Sequence, residues 1–99
     1  MRLFNRATLR SFWERRPEAH RPLLDWLRIV TRADWTGPQD IKAIIRSADF
    51  VGDRVVFNIG GNKYRLVVEI RYRSRFVFVC FIGTHAEYDR VDVRTVRIK

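Results

Sequence analysis

The chain has 99 residues, of which 46% are apolar, and 20 Lys and Arg against 11 Asp and Glu give a net charge of +9. That length suits one domain over residues 1–99 with a core of its own, and the apolar content excludes a disordered chain. No apolar run reaches the ~18 residues of a membrane-crossing helix, and most of the cations are arginines, whose planar donor forks suit phosphate and stack on bases.

The opening "MRLFNRATLR" is charged and lacks the apolar stretch of a secretory signal. Within it, "RLF" reads as a short edge strand. "TLRSFWERR" places Leu9, Phe12, Trp13 and Arg16 at helical spacing. Pro17 ends that helix and is placed to open the next. "PLLDWLRIVTRA" repeats Leu23, Leu24, Leu27 and Val30 at the same period, and Pro22 marks either its start or a bend in it. His20 reads as a surface helix residue, and Trp13 and Trp26 as core. Trp35, in "ADWTGP", covers the core from a loop. A short helix is expected from Pro38, with Ile41, Ile44 and Ile45 turned inward.

The period then changes. "RVVFNI" (54–59) is a strand, and "IGGN" (59–62) is a glycine turn of hairpin type. "KYRLVVEIRYR" (63–73) alternates: Tyr64, Leu66, Val68, Ile70 and Tyr72 form one face, and Lys63, Arg65, Val67, Glu69, Arg71 and Arg73 form the other. "SR" (74–75) is a tight turn, and "FVFVCFI" (76–82) is apolar on both faces, as a central strand is. Cys80 within it has no partner for a disulfide and reads as a buried thiol, which fits a reducing cytoplasm. Helices followed by an antiparallel meander make an α+β fold, with the N-terminal helices on one sheet face and no parallel crossover.

The outer face of the alternating strand sets Lys63, Arg65, Arg71 and Arg73 in a stripe. Such a stripe holds RNA or DNA through phosphate contacts, or it is an ordinary solvated face; spacing leaves both readings open. The net charge points the same way, to a polyanion or an acidic protein as partner, with a charge kept only for solubility as the other reading. Glu69 on that face reads as an arginine partner. After the last strand comes "GTHAEYDR". Thr84 followed by Glu87 is the T-x-x-E capping pattern, which predicts a helical turn that starts directly after Gly83. His85 and Tyr88 then lie three positions apart on that turn.

These residue types match what RNA cleavage requires. A base takes the proton of the 2′-hydroxyl, cations hold the charge that builds on the phosphate, and an acid protonates the departing 5′-oxygen. His85 and Tyr88 offer the proton transfers and Arg65 the phosphate contact, with Lys63, Arg71 and Arg73 as further RNA contacts. Tyr88 would need cationic neighbours to ionise readily. No metal or cofactor is called for: two histidines and one cysteine have no ligand spacing, and "IGGNKY" lacks the spacing of a P-loop. A capped turn whose His and Tyr only pack is the other reading of the same residues.

The motif V-x-x-R-V-V-F-N-I-G-G-N-K-Y-R-L, Val51 to Leu66 with Arg54 leading the strand, and G-T-H-A-E-Y-D, Gly83 to Asp89, closely resemble the HigB-type toxins of bacterial type II toxin–antitoxin systems, in the wider RelE-like superfamily. The resemblance implies a RelE-like fold with helices on a curved antiparallel sheet. It implies an mRNA interferase that cuts messages, in many relatives on the ribosome, and a cognate helix-turn-helix antitoxin of the HigA type. It also implies a phosphate contact at Arg65, an active-site base or cation and tyrosine at His85 and Tyr88, and RNA contacts nearby at Asn62 and Lys63. A non-catalytic module that binds RNA or the ribosome and blocks translation by occupancy is the alternative.

Overall fold

Apolar residues that recur every three or four positions make the first half helical. In the computed structural model, which describes residues 1–97, strand β1 (Arg2–Phe4) leads into helix α1 (Arg6–Arg15) and a 3-10 turn at Pro17–Ala19. Helix α2 (His20–Arg32) and helix α3 (Pro38–Ile44) follow. Helix α1 buries Leu9 and Phe12, and α2 buries Leu23, Trp26, Leu27 and Val30. Helix α2 begins before Pro22, whose missing N–H falls in the first turn, where it would have no intrahelical partner. The expectation for α3 fails at one residue: Ile41 is buried but Ile44 is 60% exposed. Ile44 sits about 100° round the helix from Ile45, and only the side holding Ile41 and Ile45 meets the core.

The second half is a sheet of β2 (Asp49–Val51), β3 (Arg54–Ile59), β4 (Tyr64–Arg71) and β5 (Phe76–Thr84), and a last turn, α4 (His85–Tyr88), follows directly. Strand order is β1-β5-β4-β3-β2. The run from β2 to β5 is an antiparallel meander. At the β3–β4 turn Gly60 and Gly61 have φ of 64° and 70°, the left-handed conformation that favours glycine.

Two features depart from the sequence reading. Strand β2 is additional: Gly52 and Asp53 form a two-residue hairpin turn, with Val51 paired to Arg54. Strand β1 runs parallel to β5, Leu3 opposite Val77, so the sheet is mixed and the chain makes the crossover that a pure meander avoids. Pairing with β1 satisfies an edge of β5 that would otherwise stand open.

The helices cover one sheet face. Val55, Phe57, Leu66, Val68, Val77 and Val79 meet the helical residues there, with Trp26 edge-on to Phe57 at 5.5 Å and Trp35 buried. The opposite face is partly covered by the C-terminal segment, whose Val93 and Val96 pack with Tyr88 on Val56, Val67 and Cys80. A bulge shapes that face. Val67 pairs with Phe81 and Val68 with Val79, which leaves Cys80 as an extra residue in β5. Cys80 and Phe81 therefore both serve the second cluster, and the bulge bends the end of β5 that carries α4.

Candidate active site

The turn after β5 forms as its spacing predicts. Thr84 Oγ1 accepts from the Glu87 N–H at 3.2 Å, and the Glu87 carboxylate accepts from the Thr84 N–H at 2.8 Å, a complete capping box. The Thr84 N–H hydrogen bond is the main reason the Glu87 carboxyl is held below its ordinary range, with the charges of Arg16 and Arg15 adding to it. Gly83 has no alternative here: a Cβ would stand 2.6 Å from the Phe81 ring and 3.1 Å from the Glu87 carboxylate.

Register brings this turn to the β3–β4 hairpin. Arg65 pairs with Gly83 and Tyr64 with Thr84, and the His85 N–H donates to the Lys63 carbonyl at 3.2 Å. His85, Lys63, Asn62 and Arg65 thus collect at one end of the sheet. The Arg65 guanidinium donates to Asn62 Oδ1 at 2.7 Å and to the carbonyls of Asn62 and Tyr64 at 3.3 Å each. The His85 side chain is 50% exposed, with Nδ1 3.4 Å from Asp89 Oδ2.

The cationic neighbours that Tyr88 would need to ionise readily do not prevail. It is half-buried against Val56, Val67 and Cys80. Burial pushes its pKa above the ordinary value, the nearby charges of Asp49 and Asp89 add to that, and Arg65 only partly offsets them. These surroundings favour the neutral phenol over the phenolate. Asp49, the first residue of β2, was not anticipated. The signal was the Gly-Asp pair between apolar runs in "DFVGDRVV", a hairpin mark that would have placed β2, and Asp49 with it, beside β3.

The stripe on β4 is not continuous. Val67 is fully buried and Glu69 is 8% exposed, because the C-terminal segment and the surrounding arginines close over the middle of that face. Arg71 donates through Nε and Nη2 to Glu69 Oε2 at 2.7 Å, which confirms Glu69 as an arginine partner. Arg54, 2% exposed, lies 3.8 Å from the other Glu69 oxygen and donates to the carbonyls of Val93 and Val96. Arg73 is exposed in the turn beyond β4. Lys63 and Arg65 therefore stand at one end of the strand, and Arg71 and Arg73 at the other.

The remaining aromatic and histidine residues stay out of the site. Trp26 and Trp35 are buried and Trp13 half-buried, and exposed His20 lies against Trp13 with ring centres 4.7 Å apart. Cys80 is buried, which pushes its thiol pKa up. Among the described residues no three His, Cys, Asp or Glu side chains are grouped to hold a metal ion.

Residues 19–91 match the model of a family described as the HigB toxin, the RelE-like toxic component of a toxin–antitoxin system. The chain belongs to the HigB toxin family. Among similar proteins is the mRNA interferase toxin HigB of Escherichia coli strain K12, 27% identical over 92 residues, which is 90% of this chain and 88% of that one. The mRNA interferase HigB of Shigella flexneri matches over the same shares at 27%. A further mRNA interferase HigB, from Escherichia coli O6:H1, is 24% identical over 92% of this chain and 91% of its own length. For this HigB-family toxin the α+β fold expected from the residues and from the resemblance is the fold observed. No described helix is long and apolar enough to cross a membrane.

Proposed function

We propose that the chain is an mRNA interferase, a metal-independent endoribonuclease that cleaves mRNA on the ribosome, arrests translation in the cytoplasm, and is neutralised by a helix-turn-helix antitoxin of the HigA type. Membership of the HigB toxin family and the names of its relatives support the class. The observation that carries the chemistry is the β4–β5 register, which seats the capped turn with His85 and Tyr88 at the solvent-open end of the sheet that bears Arg65.

In this reading His85 takes the 2′-hydroxyl proton. Asp89 faces Nδ1 and orients the ring, which leaves Nε2 to exchange the proton. The freed 2′-oxygen attacks the adjacent phosphorus, and the bond to the 5′-oxygen breaks. Tyr88, held protonated by burial, donates its proton to that oxygen. Arg65 binds the phosphate as its charge grows, and Asn62 and Lys63 hold the flanking nucleotide. Arg71 and Arg73 guide the chain farther along the face. General acid and base contribute roughly 10²–10⁴-fold each.

The test is direct. The pure protein is incubated with naked mRNA and with programmed ribosomes, chelator present throughout, and the 5′ ends of the RNA are mapped. New 5′-hydroxyl ends on ribosomes despite chelator are expected. Intact messages on arrested ribosomes would show translation blocked by occupancy instead.

A further inference from the structure

Three of the seven phenylalanines belong to neither core cluster: Phe4, Phe76 and Phe78. They pack on one another. Phe4 stacks on Phe78 with ring centres 4.9 Å apart and meets Phe76 edge-on at 5.0 Å. The β1–β5 register pairs Arg2 with Phe76 and Phe4 with Phe78, while Leu3 and Val77 turn to the helices. The trio therefore stands on the face opposite the helices, half-buried, and no described element covers it. Guanidinium groups lie over two of the rings, Arg2 at 5.7 Å from the Phe4 centre and Arg71 at 6.0 Å from that of Phe78.

A cavity opens beside this ledge. Arg54, Arg71 and Arg97 line it together with Phe78, against a single carboxylate, Glu69. The Nε of buried Arg54 makes no hydrogen bond among the described residues, and the nearest carboxylate oxygens, of Glu69 and Asp53, lie 3.8 and 3.9 Å from it. An open cavity in which three arginines face one lining carboxylate is suited to an oxyanion.

We propose that the ledge and the cavity form a second RNA-binding site, for a single-stranded segment outside the cleavage end, with bases on Phe4, Phe76 and Phe78 and a phosphate at Arg71 and Arg97. Aromatic faces interleaved with arginines are the platform single strands use. An acidic peptide would use the cations and leave the ring faces idle. Arg65 and Arg71 are six residues apart on one strand, roughly 20 Å, and the segment between the two ends carries exposed Arg90, Arg94 and Arg97. One RNA strand can therefore occupy both ends. This site deepens the nuclease reading and rests on it for its substrate.

The experiment measures binding of a fluorescent 2′-O-methyl oligouridylate, which has no hydroxyl to attack. Phe78→Leu keeps the apolar bulk and removes the ring face, so affinity should fall about tenfold, and further in the Phe4→Leu, Phe78→Leu double variant, with the melting temperature near that of the parent. Cleavage of a short RNA confined to the Arg65 end should keep its kcat/KM, while cleavage of a longer RNA should lose it. Arg97→Gln, at an exposed position, should lower the salt slope of binding by about one. Equal affinity in parent and double variant overturns the proposal, as does a double variant that keeps RNA affinity but loses the antitoxin. If the parent cuts no RNA while binding still depends on the rings, the nuclease reading falls and the second site stands.

Discussion

The two ends of β4 carry arginines on the same face and hold them in opposite ways. At one end Arg65 is steadied by neutral partners, the Asn62 side chain and two backbone carbonyls. Among the described residues no carboxylate pairs with it. At the other end Arg71 closes on Glu69, which also balances buried Arg54. One residue type at one strand periodicity therefore gives one cation held by neutral partners and one paired to a buried carboxylate. The difference is made by what each strand end meets: a hairpin turn in the first case, a buried carboxylate in the second.

The comparison can be broken most decisively at the open end. His85→Ala and Tyr88→Phe should each lower RNA cleavage by about 10²–10⁴-fold and leave the thermal transition close to that of the parent. Parental rates in both variants would make this end as structural as the other. The raised Tyr88 pKa adds a sign. The phenol stays protonated through neutral pH, so cleavage should persist into alkaline solution and fail only above the ordinary tyrosine value of ~10. A pH–rate profile that declines well below that value removes Tyr88 as the proton donor.

At the closed end the expected effect is on stability. Glu69→Ala leaves buried Arg54 with only the exposed Asp53 carboxylate at 3.9 Å and should cost about 3 kcal/mol in urea unfolding. Arg71→Ala removes an exposed partner and should cost under ~1 kcal/mol. Equal costs would mean that the ion pairs at this end are not organised around Arg54.

The smallest effect sharpens how the open end is built. Thr84→Ala removes the cap of the turn that carries His85 and Tyr88 and should cost about 1 kcal/mol. Glu87→Gln should cost less, and in a pH-dependent way. The carboxyl is depressed in the folded state, so its contribution is present above the ordinary carboxylate range and is lost as pH falls through the depressed value. The stability gap between parent and Glu87→Gln should therefore close in acid. A gap that stays constant across that range would show that the charge of Glu87 is not what holds the cap.

Much of the site was legible because its signals are local. The capping pair Thr84 and Glu87 lies within one turn, and Gly60 and Gly61 mark the hairpin that sets Arg65 against Asn58. The inward row of β4 was equally readable: Tyr64, Leu66, Val68 and Ile70 are all buried. The outward row was not, since alternation assigns Val67 and Glu69 to a face without saying what later covers it. The C-terminal segment does so with Val93 and Val96, and no periodicity in those residues announces it. Strand β1 was visible as "RLF", but its parallel pairing to β5 was not, because a partner more than seventy residues away leaves no local trace.

The amino-acid order alone determined the helices, the meander, the capped turn and a strongly cationic surface, because each depends on contacts between near neighbours or on a simple sum of charges. Only the tertiary structure decided which arginines meet a carboxylate, that burial raises the Tyr88 pKa, and that three phenylalanines gather on one sheet face. Those outcomes depend on burial and on the approach of charges from separate strands, and the dielectric surroundings of a side chain exist only once the chain has folded around it.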